Sequence, residues 1–344
     1  QVWPPGGLLC LPRQRRGGGH RMKEFHLRNA AGLRLSVLDF GATLTALEIP
    51  VNGTSRNVLL ACDPVDYTEQ RAYLGSIVGR FANRIGNARL ERDGQEWQID
   101  ANEGTTCLHG GSHSLHNREW QLAELAEDRI RLQTRLADGE QGFPGNLDVT
   151  VEYRLEQTDL VIALSATTDA PTPVNLTSHA YFNLDGGDVR DHRITINADR
   201  YLPTDEHSLP LGIAPVEGVF DLRHGKRVGE QWMTHSQQEK CLGFDHCFLF
   251  DDASSAPQAA LMAGDGSLRM EMHTDQPSVQ LYTGNWLAGA PKRGGGHWGN
   301  YQGICLEAQQ LPDSPNRPEL GDPWLMPGER YQHVTRYRLI PVVA

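Results

Sequence analysis

No stretch of the chain approaches the roughly 18 to 20 consecutive apolar residues of a membrane-spanning helix. Its mean hydropathy is −0.48, so no membrane partner is expected. Positive charge is in short supply, with 32 Lys and Arg against 43 Asp and Glu and a net charge of −11. Phosphate backbones are held by clustered cations, and this deficit argues against nucleic acid as a partner. The six cysteines, Cys10, Cys62, Cys107, Cys241, Cys247 and Cys305, are scattered and form no CxxC pair. That argues against a disulfide framework or a structural zinc site and suits a reducing cytoplasm. GxGxxG and GxxxxGK[ST] strings are missing, as is βαβ alternation, which weighs against dinucleotide-binding and phosphate-loop folds. Helical periodicity is scarce too. The best candidate, VGEQWMTHSQQEK over 228–240, is short and polar, so helices are expected only as decoration. There is no internal repeat of 20 to 50 residues.

What the chain does have is turn punctuation and alternation. Its 36 Gly and 20 Pro suit many short strands joined by turns, so an all-β chain is expected. Length alone does not force a split, and no linker interrupts 22–344, which is read as one domain. Residues 1–21 carry Pro-Gly, Arg and Gly-Gly-Gly runs without the apolar core of a secretory signal. They are expected to be a disordered or non-native extension. From Met22 onward the period is 2, the signature of half-buried strands. In RIRLQTRL (129–136), Ile130, Leu132, Thr134 and Leu136 share one face and Arg129, Arg131, Gln133 and Arg135 the other. DVTVEYRL (148–155), a polar EQTD turn and LVIAL (160–164) read as an antiparallel hairpin. LRMEMH (268–273) alternates in the same way.

Against this background stand strings that alternation alone does not explain: GRFANRIG (79–86), CLHGG (107–111), NLTSHAYFNLDG (175–186), GFDHCF (243–248), QLYTGNW (280–286) and LEAQQLPDSPN (306–316). If they form one site, the fold must assemble it from strand ends and loops. His179 is either a proton donor and acceptor near neutral pH or a core histidine bonded to a carbonyl. Glu307 is either a base or the solvated side of a strand whose other face carries Ile304 and Leu306. Arg84 is a surface charge or, with Asn83, a hydrogen-bonding pair suited to sugar hydroxyls. Asp245 with His246 is an acid–base dyad or a turn. His109, His113 and His116 imitate metal-ligand spacing, but Gly110 and Gly111 spoil the helix that spacing needs, so no metal and no cofactor are expected. Tyr181, Phe182, Tyr282 and Trp286 are core residues or a stacking wall for a sugar face.

Taken together, the strings resemble the aldose 1-epimerases, or galactose mutarotases. DFGATL (39–44), the Asn-Arg of GRFANRIG, LHGG, NLTSHAYFNL, YLPTDE (201–206), FDH, QLYTG and LEAQQLPDSPN follow that family's order over nearly all of 23–342. The chain departs from the family beside the acid, with Ser178 and Ala180, which bears on specificity more than on chemistry. The resemblance implies a large antiparallel β-sandwich of the galactose-mutarotase type and a free monosaccharide as substrate. It further implies Glu307 as general base, His179 as general acid, His109 near the ring oxygen or C1, and Asn83, Arg84, Asp245, Tyr181 and Gln280 as ligands for hydroxyls. Alternatives on the same scaffold are a hexose-phosphate mutarotase, expected to carry extra pocket Arg or Lys, and a non-catalytic sugar-binding protein. A glycoside hydrolase would pair two carboxylates, whereas the pair here is His with Glu. Preferred sugar and oligomeric state, monomer or dimer, stay open at this stage.

Overall fold

The computed structural model describes residues 21–251 and 256–343. The expected extension, residues 1–21, lies outside them except for Arg21. Three antiparallel sheets dominate. A nine-stranded sheet runs, in spatial order, Gln121–Leu125, Arg129–Leu136, Leu147–Glu156, Asp159–Thr168, Tyr331–Pro341, Leu268–Thr274, Ala259–Met262, Arg193–Ile196 and Lys226–Arg227. A five-stranded sheet orders Ala214–Pro215, Arg200–Leu202, Asp245–Leu249, Ser278–Tyr282 and Cys305–Gln309. The N-terminal residues add a four-stranded sheet over Glu24–Arg28, Arg34–Leu38, Thr43–Val51 and Thr54–Asn57.

The alternation read from sequence sets the layering. Along Arg129–Leu136 the even positions are buried and the odd ones half-buried or exposed. Leu147–Glu156 and Asp159–Thr168 form the expected hairpin, with Leu155 opposite Leu160 and Val151 opposite Leu164. One apolar cluster then takes Ile130, Leu132, Val149, Val151, Ile162, Met270 and Leu339 from the nine-stranded sheet. It takes Phe248, Val279, Leu281, Leu306 and Ala308 from the five-stranded one. The two sheets therefore share a core, the arrangement of a sandwich, and each fully buried Leu or Val in it contributes roughly 1.5–3 kcal/mol.

The sheets differ in what covers their second face. That of the nine-stranded sheet is wet, with Arg131 paired to Glu152 and Arg135 to Asp148. The five-stranded sheet is buried on both sides along Ser278–Tyr282 and Cys305–Gln309, where every residue is enclosed. Irregular segments, among them the short strands Arg84–Ile85, Cys107–Leu108 and Thr177–Ser178, account for residues on that side. The helix expected over 228–240 is cut down to Ser236–Cys241, the one α-helix among the described residues. Gln231 and Met233 adopt positive φ, which an α-helix does not accommodate, so the segment before it turns instead. No described helix is long and apolar enough to cross a membrane. The five described cysteines are buried and unbridged.

Candidate active site

Strand register builds half of the site. Side chains two apart on a strand share a face, so Leu306 and Ala308 enter the shared core while Cys305, Glu307 and Gln309 point the other way. Gln280 lies directly opposite Glu307, and Tyr282 opposite Cys305. On the next strand Asp245 lies opposite Tyr282. The diagonal neighbours Gln280 and Asp245 are joined, Gln280 Nε2 donating to Asp245 Oδ1 at 2.9 Å. Glu307, Gln280 and Asp245 thus form a polar patch on the outer face of the five-stranded sheet.

The covering segments supply the rest. Arg84 pairs with Leu108 across two short strands, which brings Asn83 and His109 side by side at the strand ends. The Asn83 N–H donates to His109 Nδ1 at 2.9 Å, and the His109 N–H donates to the Asn83 carbonyl at 3.0 Å. With Nδ1 accepting, the neutral His109 ring carries its proton on Nε2 and offers it as a donor. His179 follows the strand Thr177–Ser178. Its N–H donates to the Ser76 carbonyl at 2.8 Å and its carbonyl accepts from Gly75 at 3.1 Å. His179 Nε2 lies 3.7 Å from Glu307 Oε1, and its Nδ1 lies 3.6 Å from the Cys305 sulfur.

A cleft with about 250 Å³ of empty space is lined by Asn83, Arg84, Leu108, His109, His179, Asp245, Gln280, Tyr282 and Glu307. Seven of the eight residues anticipated from sequence meet there. Tyr181 does not. It lies behind His179, ring centroids 5.1 Å apart, and its hydroxyl donates to the Ala72 carbonyl at 2.8 Å, so it supports the imidazole rather than lining the cleft. Tyr282 takes the lining position instead, and its spacing of two from Gln280 is the signal that finds it. Phe182 belongs to the central core. Sequence reasoning missed Glu103, whose carboxylate accepts from Arg84 Nε at 2.6 Å and Nη2 at 3.3 Å; nothing in its local pattern marks it.

Burial dominates the electrostatics. It pushes the His179 imidazole down to about 4 and holds His109 well below the usual range, helped by His179 and Arg84. It lifts the Glu307 carboxyl well above the ordinary value, with Asp245 adding to the rise and Arg84 opposing it. Arg84 is buried and Asp245 half-buried, yet both stay charged. For Arg84 the neighbouring Glu103 and Asp245 outweigh desolvation, and for Asp245 the charge of Arg84 and the bond from Gln280 do so. Buried acceptors stand ready without partners: Glu307 Oε1 and Gln280 Oε1 make no hydrogen bond, a cost that a bound hydroxyl relieves. The ligand atoms of His109, His179 and Glu307 lie within 4.8 Å of one another, a donor set able to hold a metal. Of the trio His109, His113 and His116, only His109 enters that group, and His113 is exposed. Chemically, the cleft presents one acid–base pair, one fixed N–H donor and a rim of hydrogen-bonding groups, the equipment for moving protons on a small polyhydroxylated molecule.

Comparison with known proteins identifies the family. The family profile described as aldose 1-epimerase matches residues 23–338. The aldose 1-epimerase of Escherichia coli K12 is 41% identical over 333 residues, covering 94% of this chain and 96% of that one. The galactose mutarotase of Homo sapiens is 37% identical over 330 residues, covering 93% and 95%. Among solved structures, an aldose epimerase homologue from C. elegans superposes with a TM-score of 0.88 at 29% identity, covering 94% of this chain and 100% of that one. The galactose 1-epimerase of Lactobacillus acidophilus NCFM gives 0.85 at 31% identity, covering 96% and 98%.

Proposed function

The chain belongs to the aldose 1-epimerase family, an isomerase interconverting the α and β anomers of free hexoses, and we propose that Glu307 and His179 carry its proton transfers. Glu307 takes the proton of the C1 hydroxyl as the C1–O5 bond breaks and C1=O forms. The bonding pair goes to O5, which receives a proton from His179. Rotation about C1–C2 presents the other carbonyl face, and the reverse transfers close the ring on it. The pair holds one proton less than full protonation throughout, so the catalyst is regenerated at the end of the cycle.

The observation that carries this reading is the 3.7 Å approach of His179 Nε2 to Glu307 Oε1 inside a buried cleft. Burial favours the neutral pair, protonated Glu307 with neutral His179, which is the state left after ring opening. Ring opening therefore starts from the charged tautomer of the pair, which burial disfavours, and ends in the neutral one. His109, through Nε2–H, and Asn83, Arg84, Asp245 and Gln280 hold the sugar's oxygens. Such proton transfer supplies about 10²–10⁴-fold.

A phosphorylated sugar suits the site poorly. Among the described residues Arg84 is the only Arg or Lys lining the cleft; it is already bonded to Glu103, and the charged Asp245 repels a phosphate. The unbridged cysteines favour a reducing cytoplasm as the working compartment. Polarimetry on freshly dissolved α-D-galactose and α-D-glucose tests the reading. Glu307→Gln and His179→Asn are each expected to bring the decay of rotation to the buffer rate while leaving the circular dichroism of the fold intact. Either variant retaining near-wild-type rates overturns the assignment.

A further inference from the structure

Tyr73 has no place in the chemistry above, yet its ring touches both imidazoles of the site. Its centroid lies 4.7 Å from that of His109 in an edge contact at 73° and 5.6 Å from that of His179 at 22°, near-stacked. A third edge contact, 4.8 Å, goes to His116. The ring is held there by a backbone at φ 58, in the left-handed region that glycine enters freely and a tyrosine does not. Outliers of this kind collect where a fold holds a side chain for function, and Asn83 at φ 67 and His109 at φ 51 are neighbours in the same condition. The turn is laced to the site on both sides. The Ala72 carbonyl accepts from Tyr181, Ser76 donates to the Tyr73 carbonyl at 3.2 Å, and Gly75 donates to the His179 carbonyl.

The two imidazoles are not equally anchored. His109 has a backbone N–H on Nδ1, but the hydrogen-bond partner of His179 Nδ1 is the Cys305 thiol at 3.6 Å, and a thiol is a weak donor and a weak acceptor. Catalytic imidazoles are ordinarily oriented by a strong partner on the second nitrogen, a carboxylate or a carbonyl. His179 lacks that anchor, and its χ2 is a soft, broad torsion. Flat rings on its faces, Tyr73 and Tyr181, together with the edge contacts of His109 and Tyr282, fix it instead.

We propose that Tyr73 is a positioning residue for the reaction, whose aromatic ring holds His179 and His109 with their free ring nitrogens turned toward the same point of the cleft. The proposal rests on the reading of His179 and Glu307 as the reacting pair. Tyr73 acts through the imidazoles and not by contact with the sugar, so its signature falls on the catalytic step. A displacement of Nε2 by about 1 Å costs on the order of 100-fold in rate.

The test compares Tyr73→Phe, which keeps the ring, with Tyr73→Gly, which removes it at a position whose backbone glycine accepts without strain. Steady-state kinetics with α-D-galactose are expected to show kcat of Tyr73→Phe within about twofold of wild type. For Tyr73→Gly, kcat should fall about 10- to 100-fold with KM nearly unchanged. A Tyr73→Gly kcat within twofold of wild type overturns the proposal. So does a loss confined to KM, or a Tyr73→Phe enzyme as slow as Tyr73→Gly. If Tyr73→Gly fails to fold, Tyr73→Leu, which fills the space without a flat ring, takes its place under the same criteria. His179→Asn and Glu307→Gln run in the same assay separate the two claims. If they remain active, the reacting pair is wrong; if they are dead while Tyr73→Gly is unimpaired, only the role of Tyr73 falls.

Discussion

Glu307 and His179 are each 3% or less exposed, and burial displaces their proton affinities in opposite directions, which turns two ordinary side chains into a pair with a defined working range. Turnover needs the pair to hold one proton. As pH falls through about 4, His179 becomes protonated while Glu307 already is, and the base is lost. As pH rises through the raised value of Glu307, the proton leaves and the acid is lost. The profile of kcat/KM in the free enzyme is therefore expected to be flat through the range where an unperturbed histidine titrates, with its acid limb near 4 and its alkaline limb at the raised Glu307 value. An acid limb near 6.5 would show His179 to be solvated and unpaired with Glu307. At this scale the sequence was half legible. Motif order pointed to His179 and Glu307, but alternation made Glu307 the wet side of its strand, because period 2 reports which face a residue takes and not what covers that face.

At the scale of elements, the site depends on irregular chain covering the outer face of the five-stranded sheet, and one of its tightest approaches is at Gly110. A Cβ there would stand 2.2 Å from the Gly79 carbonyl oxygen and 2.6 Å from the Arg80 nitrogen, at φ 84. Those are backbone atoms with nowhere to move. Gly110→Ala is expected to destabilise the protein by about 3 kcal/mol or more, read from urea unfolding, and to disturb the adjacent His109. An effect under about 0.5 kcal/mol would mean the crossing is looser than described. The strands themselves were readable: Arg129–Leu136, the hairpin that follows it and Leu268–Thr274 keep the faces their alternation assigns. The segment 228–240 was not, because its few apolar residues neither demand nor forbid a helix and local turns at Gln231 and Met233 decide it.

For the whole molecule, the burial of neutral histidines links stability to pH. His179, His246 and His333 are fully enclosed, and burial lowers them to about 4, 3 and 4. A histidine whose folded value lies below its unfolded value contributes fully above about 6.5 and loses that contribution as pH falls toward the folded value, at about 1.4 kcal/mol per pH unit. Glu307, raised, works in the opposite sense above its ordinary range and offsets part of this dependence. The melting temperature is expected to drop between pH 6.5 and 4.5 in calorimetry, and equal values at the two pHs would refute the linkage. His333 stands outside the site, bonded to the Leu176 carbonyl and Thr335, so His333→Gln should flatten the dependence without touching catalysis. The sequence by itself determined the all-β class, the faces of the long strands, the absence of a nucleotide-binding loop and the identity of seven cleft residues, since composition, period and motif order are local properties of a chain. Only the tertiary structure decided that Glu307 is buried, that Tyr181 stands behind His179 rather than in the cleft, that Glu103 holds Arg84 and that Tyr73 lies against two imidazoles. Those facts depend on which distant segments pack together, and burial, which shifts the proton affinities, belongs to the packed molecule and to no stretch of its sequence.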